Sequence, residues 1–165
     1  MVTIRCTRKL LRRLDVSAAD TLPESTTILG GWYANILYSR PNQLVLCVSA
    51  RSLLPVVLPA REIGTLAPRF CDALGSMLMA LRIPKGVVEA EMHEMEDSVY
   101  GPTQNRRLLG SVNDFMYHLS VLVNQKPDLS PTEMALHLAA IPCAPIRYKF
   151  QFPREAAFEL LCGSQ

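Results

Sequence analysis

The chain has little charge and no concentrated chemistry. Only 19% of its 165 residues are Asp, Glu, Lys or Arg, and the formal net charge is +2, too small for charge alone to argue a nucleic-acid partner. No apolar run approaches the ~20 residues that a membrane helix needs, and no apolar segment follows the basic start as a secretory signal requires. A cytoplasmic protein with no membrane partner is therefore expected. Five cysteines (Cys6, Cys47, Cys71, Cys143, Cys162) stand at wide spacings, without a CxxC pair or a Cys–His cluster, which argues against a disulfide framework and a zinc centre. Cys47 lies in an apolar run and Cys6 alternates with Ile4, so both read as small buried hydrophobes. A phosphate-binding P-loop, a dinucleotide fingerprint, HExxH and a nucleophile elbow are all missing. No cofactor and no metal are expected.

What is present suits one ordinary core. With 49% hydrophobic residues, a chain of this length buries enough surface for one domain, 1–165, and two would be cramped. The charge is unevenly placed: Arg5, Arg8, Lys9, Arg12 and Arg13 all precede the first acid, Asp15, so the remainder from residue 14 onward carries −3 against the whole chain's +2. An acid-poor, Arg-rich start with Leu10, Leu11 and Leu14 on one side of a helix also has the form of an organellar transit peptide.

The expected architecture is α+β: a small antiparallel or mixed sheet covered by four to five helices. Val2 to Cys6 alternates as a strand, and Thr7 is placed to cap a short helix through Leu14. Residues 15–31 read as a connection that folds over an edge of the sheet. Three β-rich runs follow, Trp32 to Ser39, Gln43 to Ser49 and Leu53 to Leu58, and their three-residue spacers predict a meander. Pro55 puts the third strand at an edge or a bulge, because proline donates no ladder hydrogen bond. Leu66, Phe70, Leu74, Leu78 and Leu81 form a helical stripe that should cover the meander. A second helix, Lys85 to about Glu96, carries Glu89, Glu91, Glu94 and Glu96 and reads as a solvated acidic face. Asp97 to Tyr100 fits a short strand, and helices are expected over Ser111 to Asn124, Pro131 to Ala140 and Arg154 to Leu161, punctuated by Pro127, Pro142, Pro145 and Pro153.

Several blocks together resemble a bacterial family known only as a domain of unknown function, DUF6933. They are Arg5-Cys6-Thr7 with Lys9-Leu10-Leu11, Gly31-Trp32-Tyr33-Ala34-Asn35-Ile36-Leu37, Leu44-Val45-Leu46-Cys47-Val48, and Asn105 through Phe115. The resemblance spans nearly the whole chain and implies no catalytic residue, cofactor or substrate. Its first block lies at the N-terminus, which speaks against a removable transit peptide. Arg107 stands where the family pattern has a small residue such as Ser.

Candidate sites are few. Ser111, Asp114 and His118 share a helix face, but a nucleophile, base and orienter must converge from several directions. Ser111 reads instead as an N-cap with Asp114 at N3. Asn105, Arg106 and Arg107 would then precede a helix start, where free N–H groups favour an anion and arginine adds bidentate contacts. The candidate ligand set is Asn35, Asn105, Arg106, Arg107, Ser111 and Asn113. The competing structural reading pairs Arg106 with an acid of the Glu91 to Asp97 stretch. Asn35, an amide between apolar strand neighbours, needs a partner if buried, and that loop or a ligand would supply it. Trp32 is expected in the core. His93 and Asp97 at i, i+4 have no matching ligand spacing elsewhere, and Arg8, Lys9, Arg12 and Arg13 form a basic patch able to hold phosphate backbone.

The sequence thus favours a non-catalytic binding or regulatory module with a nucleic-acid or acidic protein partner. The neighbouring genes expected for it are of mobile-element, toxin–antitoxin or defence type. The alternative is an enzyme acting on a nucleotide or phosphorylated small molecule near Asn35 and Arg106.

Overall fold

The computed structural model describes residues 1–143 and 152–163. Five strands form one mixed sheet: β1 (Val2–Cys6), β2 (Trp32–Leu37), β3 (Leu44–Ser49), β4 (Pro55–Pro59) and β5 (Ser98–Pro102), ordered β4-β3-β2-β1-β5. β1 lies parallel to both β2 and β5, while β2, β3 and β4 make the antiparallel meander. The helices are α1 (Arg8–Leu14), α2 (Leu66–Ala80), α3 (Lys85–Glu94), α4 (Arg106–Gln125), α5 (Pro131–Ala139) and α6 (Pro153–Cys162). Pro145 lies outside the described residues.

Alternation along β2 sorts the two faces of the sheet. Trp32, Ala34 and Ile36 point to α2, where Trp32 meets Phe70 edge to face with ring centroids 4.9 Å apart. The leucine stripe of α2 closes this layer, with Leu66, Phe70, Leu74 and Leu78 all fully buried. Cys6 and Cys47 sit within the same core, and burial pushes the Cys6 thiol up to about 12 and the Cys47 thiol well above its usual range. The indole N–H of Trp32 is buried without a hydrogen-bond partner among the described residues. Tyr33 and Asn35 point to the opposite face, against which α4 packs.

β4 is an outer strand, as Pro55 implies, and it begins at that proline. Leu53 and Leu54 belong instead to the turn: Leu53 has φ +57°, and Leu54 accepts from the N–H of Ser49 while its own N–H donates to Ser52 Oγ. α5 touches α2, α4 and β4, and so covers an edge that would otherwise offer unpaired backbone to another chain. A capping box between Ser130 and Glu133, with Pro131 in the first turn, starts α5. The 15–31 segment crosses the other edge. Ala19 N–H donates to Tyr100 O, Leu22 lies against Gly101, and Thr3 is held by Pro23 O and Ser25 Oγ.

Two sequence expectations need correction here. α4 begins at Arg106, not Ser111, because Gly110 faces open space and costs the helix only its propensity, while Leu108, Leu109, Val112, Phe115 and Leu119 continue the apolar stripe. Glu91 is not part of a solvated acidic face. It is 1% exposed, and its two carboxylate oxygens accept the backbone N–H groups of Ile28 and Leu29 at 2.8 and 2.9 Å.

Candidate functional site

α1 is a short amphipathic helix whose charges all fall on one side. Leu10 and Leu14, four residues apart, are buried, which turns Arg8, Lys9, Arg12 and Arg13 outward, and all four are exposed. Asp15 ends the helix in the left-handed conformation (φ 51°), its N–H bonded to Leu11 O. Thr7 precedes the helix but does not cap it with its side chain. Its hydroxyl donates to Asn35 Oδ1 at 2.8 Å, and its N–H donates to Ala34 O at 3.0 Å. α1 is therefore fastened to β2 at its first residue.

The meander brings further cations to this helix. Lys9 Nζ stands 5.9 Å from the centre of the Tyr38 ring, and Arg13 Nη1 donates to Gln43 Oε1 at 3.0 Å. Beside Arg13 opens a cleft of about 740 Å³, bordered by Arg40 of the β2–β3 turn and Arg61 after β4. Its apolar wall includes Val123, Leu129 and Met134, and Asp128 is the one acid among the described lining residues. No arginine joins an ion pair among the described residues, where the three pairs are Met1–Glu94, Lys85–Glu89 and His93–Glu96. The exposed cations of α1 thus end, at Arg13, beside a cleft that Arg40 and Arg61 also border, in a chain whose residues from 14 onward carry −3. Sequence spacing showed only the four on α1, since Arg40 and Arg61 lie in separate connections after β2 and β4.

The second candidate region is rearranged by the early start of α4. Asn105 is the N-cap, and its Oδ1 accepts from Arg107 N–H at 3.0 Å and Leu108 N–H at 3.1 Å. The donors on which an anion would rest are occupied by the protein's own side chain. Ser111 and Asn113 lie inside the helix, so Ser111 is not the cap. Arg106 and Arg107 are exposed, and Arg106 forms no ion pair with the Glu91 to Asp97 stretch among the described residues. The amide oxygen of Asn35, a residue only 6% exposed, accepts from the Thr7 hydroxyl and from the N–H of Ile36, each at 2.8 Å, and not from the Asn105 to Asn113 segment.

Ser111, Asp114 and His118 do line one small cavity, of about 180 Å³, together with Cys143. No hydrogen bond links those three side chains among the described residues, and burial, reinforced by Asp114, raises the Cys143 pKa, the opposite of an activated thiol. His93 Nδ1 faces Glu96 Oε1 at 2.9 Å on the surface. Among the described residues no three His, Cys, Asp or Glu side chains gather as a metal site would require.

A family profile described as Domain of unknown function (DUF6933) matches residues 3–156. The chain belongs to that family. Neither the curated proteins nor the solved structures yield a match. The fold and side-chain geometry of this DUF6933 chain therefore carry the functional argument. Among its described residues, no helix is long and apolar enough to cross a membrane.

Proposed function

We propose that this chain is a non-catalytic binding or regulatory module whose basic face holds an anionic polymer, the phosphate backbone of a nucleic acid ahead of an acidic protein surface. The observation that carries the reading is the placement of Arg8, Lys9, Arg12 and Arg13 on the exposed side of α1, continuous with Arg13, Arg40 and Arg61 around one cleft. A helix with its apolar side fastened to a sheet presents its cations from a backbone already ordered, so that binding costs only side-chain freedom. Long, exposed arginines spread over a surface match a repeating line of phosphates, and the bond they make is electrostatic and independent of sequence. The cleft's aliphatic wall adds a surface against which an unpaired base can pack.

The setting that fits is a bacterial cytoplasm, with neighbouring genes of mobile-element, toxin–antitoxin or defence type; neighbours of a metabolic operon favour the enzyme alternative. Fluorescence anisotropy with labelled single- and double-stranded oligonucleotides at several salt concentrations tests the proposal directly. Affinity should fall steeply with salt, and each arginine of α1 changed to Gln should flatten the log–log slope by about 0.9. Parent protein that binds no oligonucleotide at low salt, while polyglutamate binds the same face, shifts the partner to an acidic protein. Binding of neither overturns the reading.

A further inference from the structure

A second hollow lies on the opposite side of β1 from the Trp32 core, about 260 Å³ in volume and roofed by Leu108 of α4. Arg5 stands at its floor. It is in register with Tyr33 on one side and, on the other, with Gly101, against which Leu22 of the crossing segment packs. The Arg5 guanidinium is partly buried, yet its one protein partner among the described residues is the carbonyl of Pro102, reached by Nη1 at 3.1 Å. An arginine is almost never fully buried without a charge partner, and partial burial of an uncompensated charge still costs hydration. No carboxylate lies within ion-pair distance here among the described residues, and Glu24, the acid at the rim, pairs with neither arginine of the hollow.

Two further residues lining the hollow, Tyr33 and Arg51, also carry donors. The hydroxyl of Tyr33 accepts the N–H of Asn105 at 3.2 Å, so its own hydrogen is left to donate, and it has no acceptor among the described residues. Arg51, an exposed residue, lines the hollow as well. Its stem packs on Gly30, where an added Cβ would come within 2.9 Å of Arg51 Cγ, and Nη1 donates to Ile28 O at 3.0 Å. Gly30 is at φ +77°, a conformation that only glycine adopts freely. The hollow is thus lined by two arginines and one tyrosine coming from β1, β2 and the β3–β4 turn.

We propose that this hollow is a binding site for a small oxyanion, a phosphate monoester. Three donors arriving from three elements suit the three oxygens of a tetrahedral phosphoryl group better than the two coplanar oxygens of a carboxylate, and two arginines balance its charge with bidentate contacts. The site is separate from the basic face of α1 and does not depend on it.

The test is isothermal titration of the parent protein with inorganic phosphate, with acetate at equal ionic strength as the planar comparator. Phosphate should bind at millimolar concentration or below, acetate more weakly. Arg5→Gln and Arg51→Gln should each weaken phosphate by about tenfold or more, with circular dichroism unchanged; Arg51 is exposed, so its variant keeps the fold even if Arg5→Gln does not. The double variant Arg12→Gln/Arg13→Gln should retain phosphate affinity in the hollow while losing affinity for oligonucleotides, which separates this site from the proposed function. Phosphate affinity unchanged in both Arg5→Gln and Arg51→Gln, acetate binding as tightly as phosphate, or no heat from either anion would overturn the assignment.

Discussion

The hydroxyl of Thr7 donates to the amide oxygen of Asn35 at 2.8 Å, and the same oxygen accepts the N–H of Ile36. The pair closes the gap left where β1 stops. β1 runs beside β2 only as far as Cys6 opposite Ala34, so the next inward-facing donor of β2, Ile36 N–H, has no strand to bond. Asn35 turns its side chain to serve as that missing acceptor, and Thr7 holds it there. Replacing Thr7 by Val removes one neutral hydrogen bond and should cost about 0.5 to 1.5 kcal/mol, whereas Asn35→Ala strands a buried N–H and should cost about 1 to 3 kcal/mol. Urea denaturation of the two variants measures both, and equal costs would contradict the bridging role given to Asn35.

The α2 stripe makes a larger claim on stability. Leu74 and Leu78 are fully buried between the helix and the sheet, and truncating either to Ala should cost about 2 to 5 kcal/mol, the range for cavities left in a packed core. A loss below about 0.5 kcal/mol for both, the scale of surface substitutions, would mean that this face does not lie in the core.

Two glycines should respond in opposite directions to the same change. Gly110 sits in mid-helix with nothing near the place of a Cβ, so Gly110→Ala should stabilise by about 0.5 to 1 kcal/mol through helix propensity. At Gly101 a Cβ would fall 2.3 Å from Leu22 Cδ1. Leu22 must swing away, loosening the crossing segment over the β5 edge, at about 1 to 3 kcal/mol. Thermal melts of the two alanine variants should move to either side of the parent.

Glu91 predicts a dependence on pH. Burial raises its pKa more strongly than the N–H groups of Leu29 and Ile28 lower it, so the folded protein holds a proton there more readily than the unfolded chain. The contribution of this group is full below the usual glutamate range and is lost as pH rises through its own raised pKa. Glu91→Gln carries no such titration. The stability of the parent relative to the Gln variant should therefore decline from mildly acidic to neutral pH. A parent that gains on the variant over that range would show that the two N–H groups outweigh burial.

Local pattern was enough for the elements that obey a period. The alternation of Val2 to Cys6, the meander and the 3–4 spacing of Leu66 to Leu78 each follow from which residues avoid water, and Pro55 marked an outer strand because a missing N–H is a local fact. A short strand after Asp97 was legible as well. Its place beside β1 was not, because pairing partners 96 residues apart leave no mark in either segment.

Tertiary structure decided the rest, chiefly by assigning hydrogen bonds. Ser111 and Asn105 are both good caps by residue type. The helix starts at Asn105 because Tyr33, from a distant strand, accepts that residue's N–H, while Leu108 and Leu109 find a surface to bury against. Glu91 looks like its three acidic neighbours until Ile28 and Leu29 bring it two donors from 63 and 62 residues away. Arg13, Arg40 and Arg61 belong to unrelated local patterns, and only the return of the meander past α1 places them around one cleft. By itself the sequence determined which segments fold and which faces turn inward; the chain's path through space decided which polar groups meet. Burial is a property each residue type carries with it, while a partner must be delivered by the rest of the fold.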